Sequence, residues 1–383
     1  MNQLLNPEEA RDFLKRGFSR RNFGRIATML TAGATLPFYN ESALAQLSKV
    51  KGTIPPDAVL INANENPMGP CPEAAQAMRD MVQRGGRYMY QLTDQLAETM
   101  AHVEGIKPEY VRPFAGSSAP LHQSVLAFCS PEKSYVCGDP GYEAGGRAAR
   151  FIGAKAHNVP LTKDYAHDVK AMAAADANAG LIYLCNPNNP TGTLTSREDM
   201  EWLLANKPAG SVLMVDEAYI HIAEGATSMV DMVAKDKDVI VLRTFSKLYG
   251  MAGLRAGAAI ARPDLLDKIM PYSAGAMPVT AMIGATTSLK VKGLVEQRRK
   301  TIKEIREDTL AFLDKHHFHY VPSQSNKFMV DVKRPGQEII AAMQKENVYI
   351  GRVWPSWPTY VRVTVGSRED MAKFKTAFLK VMA

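Results

Sequence analysis

The sequence predicts an α/β fold, with a mostly parallel sheet in a large domain and a smaller α+β domain. Apolar runs of strand length recur through the middle of the chain, and amphipathic segments lie between them. Strands that alternate with helices are typical of a doubly wound sheet. After Pro278 a long charged helix and short strand-like runs follow, which indicates a second unit. The apolar runs are residues 134–137, 181–185, 212–215, 239–242 and 256–260.

Composition supports a globular protein and excludes several other classes. The 383 residues are 46% hydrophobic, which is ample for a core and excludes wholesale disorder. The net charge is +7, but the charges are dispersed and no basic-aromatic module is present, so we expect no nucleic-acid partner. The four cysteines form no CxxC pair, so we expect no metal site and favour buried free thiols over disulfides.

Residues 1–45 have the order of features found in an export signal. Ser19-Arg20-Arg21-Asn22-Phe23-Gly24-Arg25 precedes an apolar stretch over 26–38, and Ala43-Leu44-Ala45 follows as a small-x-small cleavage pattern. The segment resembles a twin-arginine (Tat) signal peptide, which implies a periplasmic protein and the Tat translocon as a transient partner. The alternative is an ordinary basic amphipathic helix. The apolar stretch is shorter than the ~20 residues of a membrane span.

The rest of the chain divides into three parts. We expect an N-terminal arm with part of the small domain over 46–85, the large domain over 86–278 and the small domain over 279–383. The helix that opens the last part runs from about 294 to 316, with Ile302, Ile305, Thr309 and Phe312 on one face.

Polar motifs follow three of the predicted strands. They are 186–192 (NPNNPTG), 216–219 (DEAY) and 243–255 (RTFSKLYGMAGLR). Singly, these are compatible with a turn, a solvated strand end and a surface lysine. Because ligands of open α/β sheets bind beyond the carboxyl ends of strands, the three together predict one crevice that holds an amide, a carboxylate, a phenol and a lysine.

This combination resembles the fold-type I pyridoxal-phosphate (PLP) aminotransferases, most closely the histidinol-phosphate aminotransferase-like branch. The resemblance extends from Asn62-Ala63-Asn64-Glu65-Asn66-Pro67 to Arg362-Val363-Thr364-Val365-Gly366. It implies that Lys247 holds PLP as an internal aldimine and moves the proton at the substrate Cα. The other implied ring contacts are Asp216 at the pyridine nitrogen, Asn189 and Tyr219 at the phenolic oxygen O3′, and Tyr142 on the ring face.

The phosphate of the cofactor needs positive charge and oriented N–H groups. Gly116-Ser117-Ser118 precedes a helical segment and offers backbone donors at a helix N-terminus. The resemblance adds Thr244, Ser246 and Arg255 as phosphate ligands. It also implies that Tyr88 reaches the phosphate of a neighbouring subunit, and hence a homodimer with shared active sites; Tyr90 is the alternative for this role.

Two arginines near the C-terminus are candidates for substrate anions, because a guanidinium binds carboxylate or phosphate in a bidentate manner. The resemblance makes Arg362 the substrate-anion residue, with Asn189 beside it and Arg352 as a second contact. A solvated loop arginine is the alternative for Arg352. Trp354 and Trp357 lie in the loop between the two arginines, either in a substrate pocket or in core or dimer packing.

The resemblance implies amino transfer between an amino acid or related amine and a 2-oxo acid. A decarboxylase or lyase of the same fold is the alternative. A PLP-binding regulator is not expected, since the segment before Asn62 has no room for a DNA-binding module once the signal is removed. Residues 46–62 also contain no tyrosine that could contact a substrate phosphate.

Overall fold

The computed structural model describes residues 7–19, 22, 24, 26, 54–273 and 276–383. The described strands are β1 (Val59–Ile61), β2 (Val111–Phe114), β3 (Ser134–Asp139), β4 (Ala156–Pro160), β5 (Ala179–Cys185), β6 (Val212–Asp216), β7 (Val239–Thr244), β8 (Gly257–Ala261), β9 (Tyr320–Val321), β10 (Lys327–Asp331), β11 (Val348–Ile350) and β12 (Tyr360–Thr364). The helices are α1 (Pro7–Lys15), α2 (Pro72–Val82), α3 (Gln91–Glu104), α4 (Ser118–Phe128), α5 (Ala144–Phe151), α6 (Val169–Ala174), α7 (Arg197–Asn206), α8 (Val230–Ala234), α9 (Pro263–Ile269), α10 (Val279–Lys290), α11 (Leu294–Lys315), α12 (Gly336–Lys345) and α13 (Arg368–Met382).

A seven-stranded sheet of order β2-β8-β7-β6-β5-β3-β4 forms the centre of the large domain. Strands β7, β6, β5, β3 and β4 run parallel, and β8 is antiparallel to both of its neighbours. The five apolar runs predicted as strands are confirmed as β3, β5, β6, β7 and β8. All residues of β5, β6 and β7 are buried, because helices cover both faces of a parallel sheet of this kind.

The register of the sheet brings the three polar motifs together. Cys185 at the end of β5 lies beside Asp216 at the end of β6, and Asp216 lies beside Leu242 in β7. Since these strands are parallel, the loops that follow them leave the sheet at the same edge. The sequence motifs 186–192, 216–219 and 243–255 therefore meet in space.

The small domain combines residues from both ends of the chain. Strand β10 pairs antiparallel with β12 and β9, while β1 pairs parallel with β11. Helix α11 ends within one residue of the predicted boundary and buries Ile302, Ile305 and Thr309, as its apolar face predicts. The turn after β1, residues 62–66, then lies at the junction of the two domains, where Asn64 donates to a side chain of the large domain.

An N-terminal segment packs on the large domain. Helix α1 is followed by Arg16, whose guanidinium Nη2 donates to the backbone carbonyls of Leu126 at 2.5 Å, Ala127 at 3.1 Å and Cys129 at 3.1 Å. These carbonyls lie at the C-terminal end of α4, where the helix leaves its last acceptors unpaired. The Arg20-Arg21 pair and the predicted cleavage site at 43–45 lie outside the described residues.

Three further features concern the described part of the chain. No helix there is both long and apolar enough to span a bilayer, and no group of three or more His, Cys, Asp or Glu side chains is arranged to hold a metal ion. The cysteines Cys71, Cys129, Cys137 and Cys185 are free and buried.

Candidate active site

A cavity of about 300 Å³ lies at the carboxyl edge of the sheet. Ten of the residues singled out in the sequence line it: Ser117, Ser118, Tyr142, Asn189, Asp216, Tyr219, Thr244, Ser246, Lys247 and Arg255. The remaining lining residues are Ala63, Glu65, Leu121, Cys185, Ala218, Ala252 and Gly253. The cavity thus holds an amine, a buried carboxylate, two phenols and a guanidinium within one enclosure.

Lys247 follows β7 and is 7% exposed. Its Nζ lies 3.5 Å from the carbonyl oxygen of Ala63 and 5.6 Å from the centre of the Tyr219 ring. The turn after Lys247 is fixed from both domains, because Asn66 Nδ2 and Arg298 Nη1 both donate to the carbonyl of Leu248, at 2.8 and 2.9 Å. The backbone that carries the amine is therefore held in place by buried hydrogen bonds.

Asp216 ends β6 and is one of the residues that line the cavity. Burial raises the pKa of Asp216, and the hydrogen bond from Tyr183, the backbone N–H of Ala218 and the nearby Lys247 and Lys327 amines oppose that rise. The Tyr183 hydroxyl donates to Oδ2 at 2.8 Å, and the Ala218 N–H donates to Oδ1 at 3.1 Å. This carboxylate is suited to pair with a cationic ring nitrogen, since a buried anion gains most from a charged partner.

A second group of cavity residues is suited to hold an anion. Ser117 and Ser118 lie at the N-terminus of α4, where the first backbone N–H groups have no partner within the helix. Thr244 Oγ1 donates to Ser246 Oγ at 2.9 Å, and Arg255 Nη1 donates to the same oxygen at 3.3 Å. Gly116 has φ +87°, a backbone conformation that favours glycine, and a Cβ there would lie 2.2 Å from Arg255 Nη2, so a side chain at this position would displace the guanidinium.

A hydrogen-bonded network links Tyr219 to the small domain. Asn64 Nδ2 donates to the Tyr219 hydroxyl at 3.0 Å and to Asn189 Oδ1 at 3.3 Å. Arg362 Nη1 donates to the same Asn189 oxygen at 3.0 Å, and its Nη2 donates to the Asn62 carbonyl at 2.6 Å. Arg362 is fully buried and does not line the cavity; it lies behind Asn189.

Arg352 and the loop tryptophans also lie outside the cavity lining. Arg352 is 4% exposed, which contradicts the alternative of a solvated loop arginine, and its Nη1 bonds both carboxylate oxygens of Glu143. Trp354 is buried against Val321 and Met329, and Trp357 packs against Tyr165 with ring centres 5.6 Å apart. Both tryptophans therefore make packing contacts within the described chain.

Tyr88 is 70% exposed and stacks on Tyr90 with ring centres 5.8 Å apart. Neither ring lines the cavity of its own chain. Their roles at a neighbouring subunit's phosphate remain predictions.

Four residues near the site had no role assigned from the sequence: Asn64, Glu143, Tyr183 and Lys327. Lys327 is fully buried, its Nζ donates to Ser325 Oγ at 2.8 Å, and it lies 3.1 Å from the centre of the Tyr219 ring. Asn64 belongs to the 62–67 motif, for which the sequence predicted no role in the site. Tyr183 and Lys327 lie inside strands, where the sequence offers no sign of their neighbours.

The donor set fits pyridoxal phosphate. The cavity presents an amine for the carbonyl carbon, a buried carboxylate for the pyridine nitrogen, an amide and a phenol for the phenolic oxygen, and hydroxyls, helix N–H groups and a guanidinium for the phosphate. The glycine at 116 leaves space for this anion site beside Arg255. Fold and site together define a PLP-dependent transferase of fold type I.

Comparison with known proteins gives the family. Residues 56–378 match the model of aminotransferase class I and II, and the chain belongs to this family. It is 30% identical to the histidinol-phosphate aminotransferase of Moorella thermoacetica over 337 residues, covering 85% of this chain and 86% of that protein. It is 32% identical to the enzyme of the same name from Symbiobacterium thermophilum over 328 residues, covering 84% and 90%.

A solved structure extends the likeness. The histidinol-phosphate aminotransferase of Sinorhizobium meliloti, solved in complex with pyridoxal-5′-phosphate, superposes with a TM-score of 0.79 at 23% identity, covering 90% of this chain and 95% of that one. At 23% identity this match supports the fold alone. The family makes this protein a PLP-dependent aminotransferase, and the decarboxylase or lyase alternative is not retained.

Proposed function

We propose that Lys247 carries PLP covalently and moves the proton at the substrate Cα during amino transfer. The observation that carries this proposal is the position of the Lys247 amine, in one cavity with the Asp216 carboxylate and the Ser246–Arg255 cluster. Bound PLP supplies an electron-withdrawing ring that stabilises negative charge at the substrate Cα. Once its covalent link to the cofactor is broken, the Lys247 amine would be free to act as general acid and base at the substrate Cα.

The other cavity residues have supporting roles in this proposal. Asp216 keeps a proton on the ring nitrogen, and Tyr219 and Asn189 hydrogen-bond the phenolic oxygen. Tyr142 covers the ring face and excludes water, since an aromatic ring stacks readily on a planar heterocycle. Ser117, Ser118, Thr244, Ser246 and Arg255 hold the phosphate.

We assign the substrate carboxylate to Arg362, with Asn189 beside it. The Arg362 guanidinium is held in orientation by the Asn189 side chain and the Asn62 carbonyl. The donor is an amino acid or related amine and the acceptor a 2-oxo acid. Arg362→Lys keeps the charge and loses the planar bidentate geometry. It should raise KM for carboxylate donors by at least about tenfold, the effect of ~1.4 kcal/mol. An unchanged KM would place the carboxylate elsewhere.

The covalent role of Lys247 is tested by Lys247→Ala. The variant should lack the visible absorbance band of the covalently bound cofactor and should transfer no amino group from any donor. Lys290→Ala, at an exposed helix position, serves as the matched control and should keep both properties. A Lys247→Ala protein that retains the band and the activity would refute the assignment.

We further propose a homodimer in which Tyr88 contacts the phosphate held by the partner subunit. The exposed, stacked ring pair of Tyr88 and Tyr90 supports this proposal, because a large aromatic pair at a protein surface is typical of an interface. Light scattering should give twice the mass of the chain. Tyr88→Phe should weaken PLP retention while Tyr90→Phe leaves it unchanged, and the reverse result would exchange the two roles.

We also propose export by the Tat route to the periplasm, on the order of the Arg20-Arg21 pair, the apolar stretch and the Ala43-Leu44-Ala45 pattern. Because this route carries folded proteins, it suits an enzyme that binds its cofactor before export. Replacing both arginines with lysine should retain the protein in the cytoplasm. Undiminished periplasmic recovery of that variant would contradict the proposal.

A further inference from the structure

Two charged residues of the site motifs lie outside the cavity. Glu217 directly follows Asp216, and Arg243 directly precedes Thr244, yet only Asp216 and Thr244 line the cavity. Because successive side chains of a strand point to opposite faces, Glu217 and Arg243 project to the other side of the sheet. Both are buried, with 1% and 4% of their surface exposed. Charges buried in this way need partners.

The two side chains pair with each other and with a third residue. Arg243 Nη1 donates to Glu217 Oε2, while Nε and Nη2 donate to the two carboxylate oxygens of Glu104 at 3.0 Å each. Nη2 also donates to Ser228 Oγ at 3.1 Å. Burial raises the pKa of Glu217, and the Arg243 charge is the largest contribution that opposes this rise. One planar guanidinium thus joins two carboxylates in a Glu104–Arg243–Glu217 cluster.

The cluster connects the two strands that carry the cofactor contacts. The Glu217 N–H donates to the Leu242 carbonyl at 3.1 Å, so the pairing of β6 with β7 continues past Asp216, which lies beside Leu242. Glu104 is the last residue of α3 and attaches this pair of strands to a helix. Asp216 and Thr244 are therefore held, through their chain neighbours, by one buried set of hydrogen bonds.

The proposed site holds its cofactor at two separate places. Asp216 would bind the ring nitrogen, and Thr244, Ser246 and Arg255 would bind the phosphate. Both contacts form together only when the distance between the two sets of residues matches the fixed length of the ligand, since binding at one place then brings the other group into position. A shift of β6 relative to β7 would weaken a ligand that spans both places and spare a ligand that uses one.

We propose that the Glu104–Arg243–Glu217 cluster sets the distance between the Asp216 carboxylate and the phosphate-binding residues Thr244 and Ser246. Arg243 is a positioning residue that acts from the side of the sheet opposite to the cavity. This inference rests on the cofactor site proposed above. It assigns a role to the two charged residues of the 216–219 and 243–255 motifs that contact nothing in that site.

The test is Arg243→Lys, which keeps the buried positive charge and loses the planar geometry that joins two carboxylates. Dissociation constants of the apoprotein are measured by calorimetry for three probes: PLP, pyridoxal, which lacks the phosphate, and inorganic phosphate, which lacks the ring. The constant for PLP should rise by about tenfold or more, the effect of ~1.4 kcal/mol, while those for pyridoxal and inorganic phosphate should change by less than about twofold.

Two further variants separate position from overall stability. Asp264→Asn removes a carboxylate that pairs with Arg262 at 2.5 Å outside the cavity lining, and it should leave all three constants unchanged. Glu104→Gln weakens the cluster at its most exposed member, whose side chain is 15% exposed. It should raise the constant for PLP in the same selective way. Thermal unfolding verifies that each apoprotein folds, and if Arg243→Lys does not fold, Glu104→Gln decides the proposal.

The outcomes distinguish this inference from the site on which it rests. Failure of the wild-type apoprotein to bind PLP would overturn the proposed site, and the inference with it. Equal weakening of all three probes would show a general loss of structure, and a loss shared by PLP and one fragment would confine Arg243 to one end of the site. Either result, or an unchanged PLP constant, would overturn the inference alone. A loss confined to PLP would establish the role of the cluster.

Discussion

Replacing Tyr183 with Phe tests how the protein prepares Asp216 for the cofactor. Tyr183 lies in the middle of the large sheet, and its hydroxyl donates to Asp216 Oδ2 at 2.8 Å in a buried setting. Burial raises the pKa of Asp216, and this hydrogen bond is the largest of the contributions that lower it. Tyr183→Phe removes the bond and leaves the ring in the core.

The magnitude follows from the kind of hydrogen bond. A bond to a charged group contributes about 1.5–3 kcal/mol, which corresponds to about ten- to a hundredfold in a binding constant. Removing the bond raises the pKa of Asp216 further, so the Asp216 carboxyl of the apoprotein stays protonated to a higher pH. Since PLP binding as proposed requires the ionised carboxylate, the loss of affinity should be greatest at low pH. The loss of affinity should shrink once the pH exceeds the pKa of Asp216 in both the wild type and Tyr183→Phe.

The assay is the PLP dissociation constant of the apoprotein, measured by absorbance or fluorescence titration from acidic to alkaline pH. Tyr183→Phe should weaken binding by about tenfold or more at the acidic end. The two curves should converge toward the alkaline end.

Tyr320→Phe is the matched control, because the Tyr320 hydroxyl donates to Asp314 Oδ2 at 2.9 Å outside the site. It should leave PLP affinity unchanged at every pH. A loss in Tyr183→Phe that is the same at all pH values would show that Tyr183 acts by packing alone. No loss at all would refute the proposed coupling of Asp216 to the cofactor.

Two other substitutions probe the ends of the cavity. Gly116→Ala places a Cβ 2.2 Å from Arg255 Nη2 at a residue with φ +87°. The left-handed backbone should cost about 1–2 kcal/mol of unfolding free energy, measured in denaturant. Displacement of Arg255 should also speed PLP release, and an unchanged release rate would contradict a phosphate contact by Arg255. Lys327→Met removes an amine 3.1 Å from the centre of the Tyr219 ring. The pH at which the absorbance of the bound cofactor changes should rise, because the variant loses a neighbouring positive charge that disfavours protonation of the cofactor. An unshifted titration would show that Lys327 serves the fold alone.

The sequence predicted those elements whose own residues form an apolar or amphipathic pattern. Strands β5, β6 and β7 are buried on both faces, so they appear as apolar runs. Strand β4 has exposed or half-buried polar residues at the edge of the sheet and gives no such run. Strand β1 has three residues and depends on pairing with β11, with Val59 opposite Val348. No local pattern specifies a pairing across that separation.

The same reasoning explains which site residues were predicted. Most of the proposed cofactor contacts lie in short loops after strands, and these loops combine residue types that are rare together. Tyr183, Glu143 and Lys327 act through partners that are distant in sequence: Tyr183 donates to Asp216, Glu143 accepts from Arg352, and Lys327 packs against Tyr219. A tyrosine or lysine within a strand has many possible environments until the fold selects one.

Helix α4 links the N-terminal segment to the proposed phosphate site. Its N-terminus carries Ser117 and Ser118, and its C-terminal carbonyls accept from Arg16. If export removes residues 1–45, Arg16 is removed with them, and these carbonyls accept hydrogen bonds from water instead. Precursor and processed enzyme would then differ in how firmly one end of the helix is held, while the phosphate at the other end remains. Loading with cofactor before export would keep the helix anchored when its leader-side contact is cut.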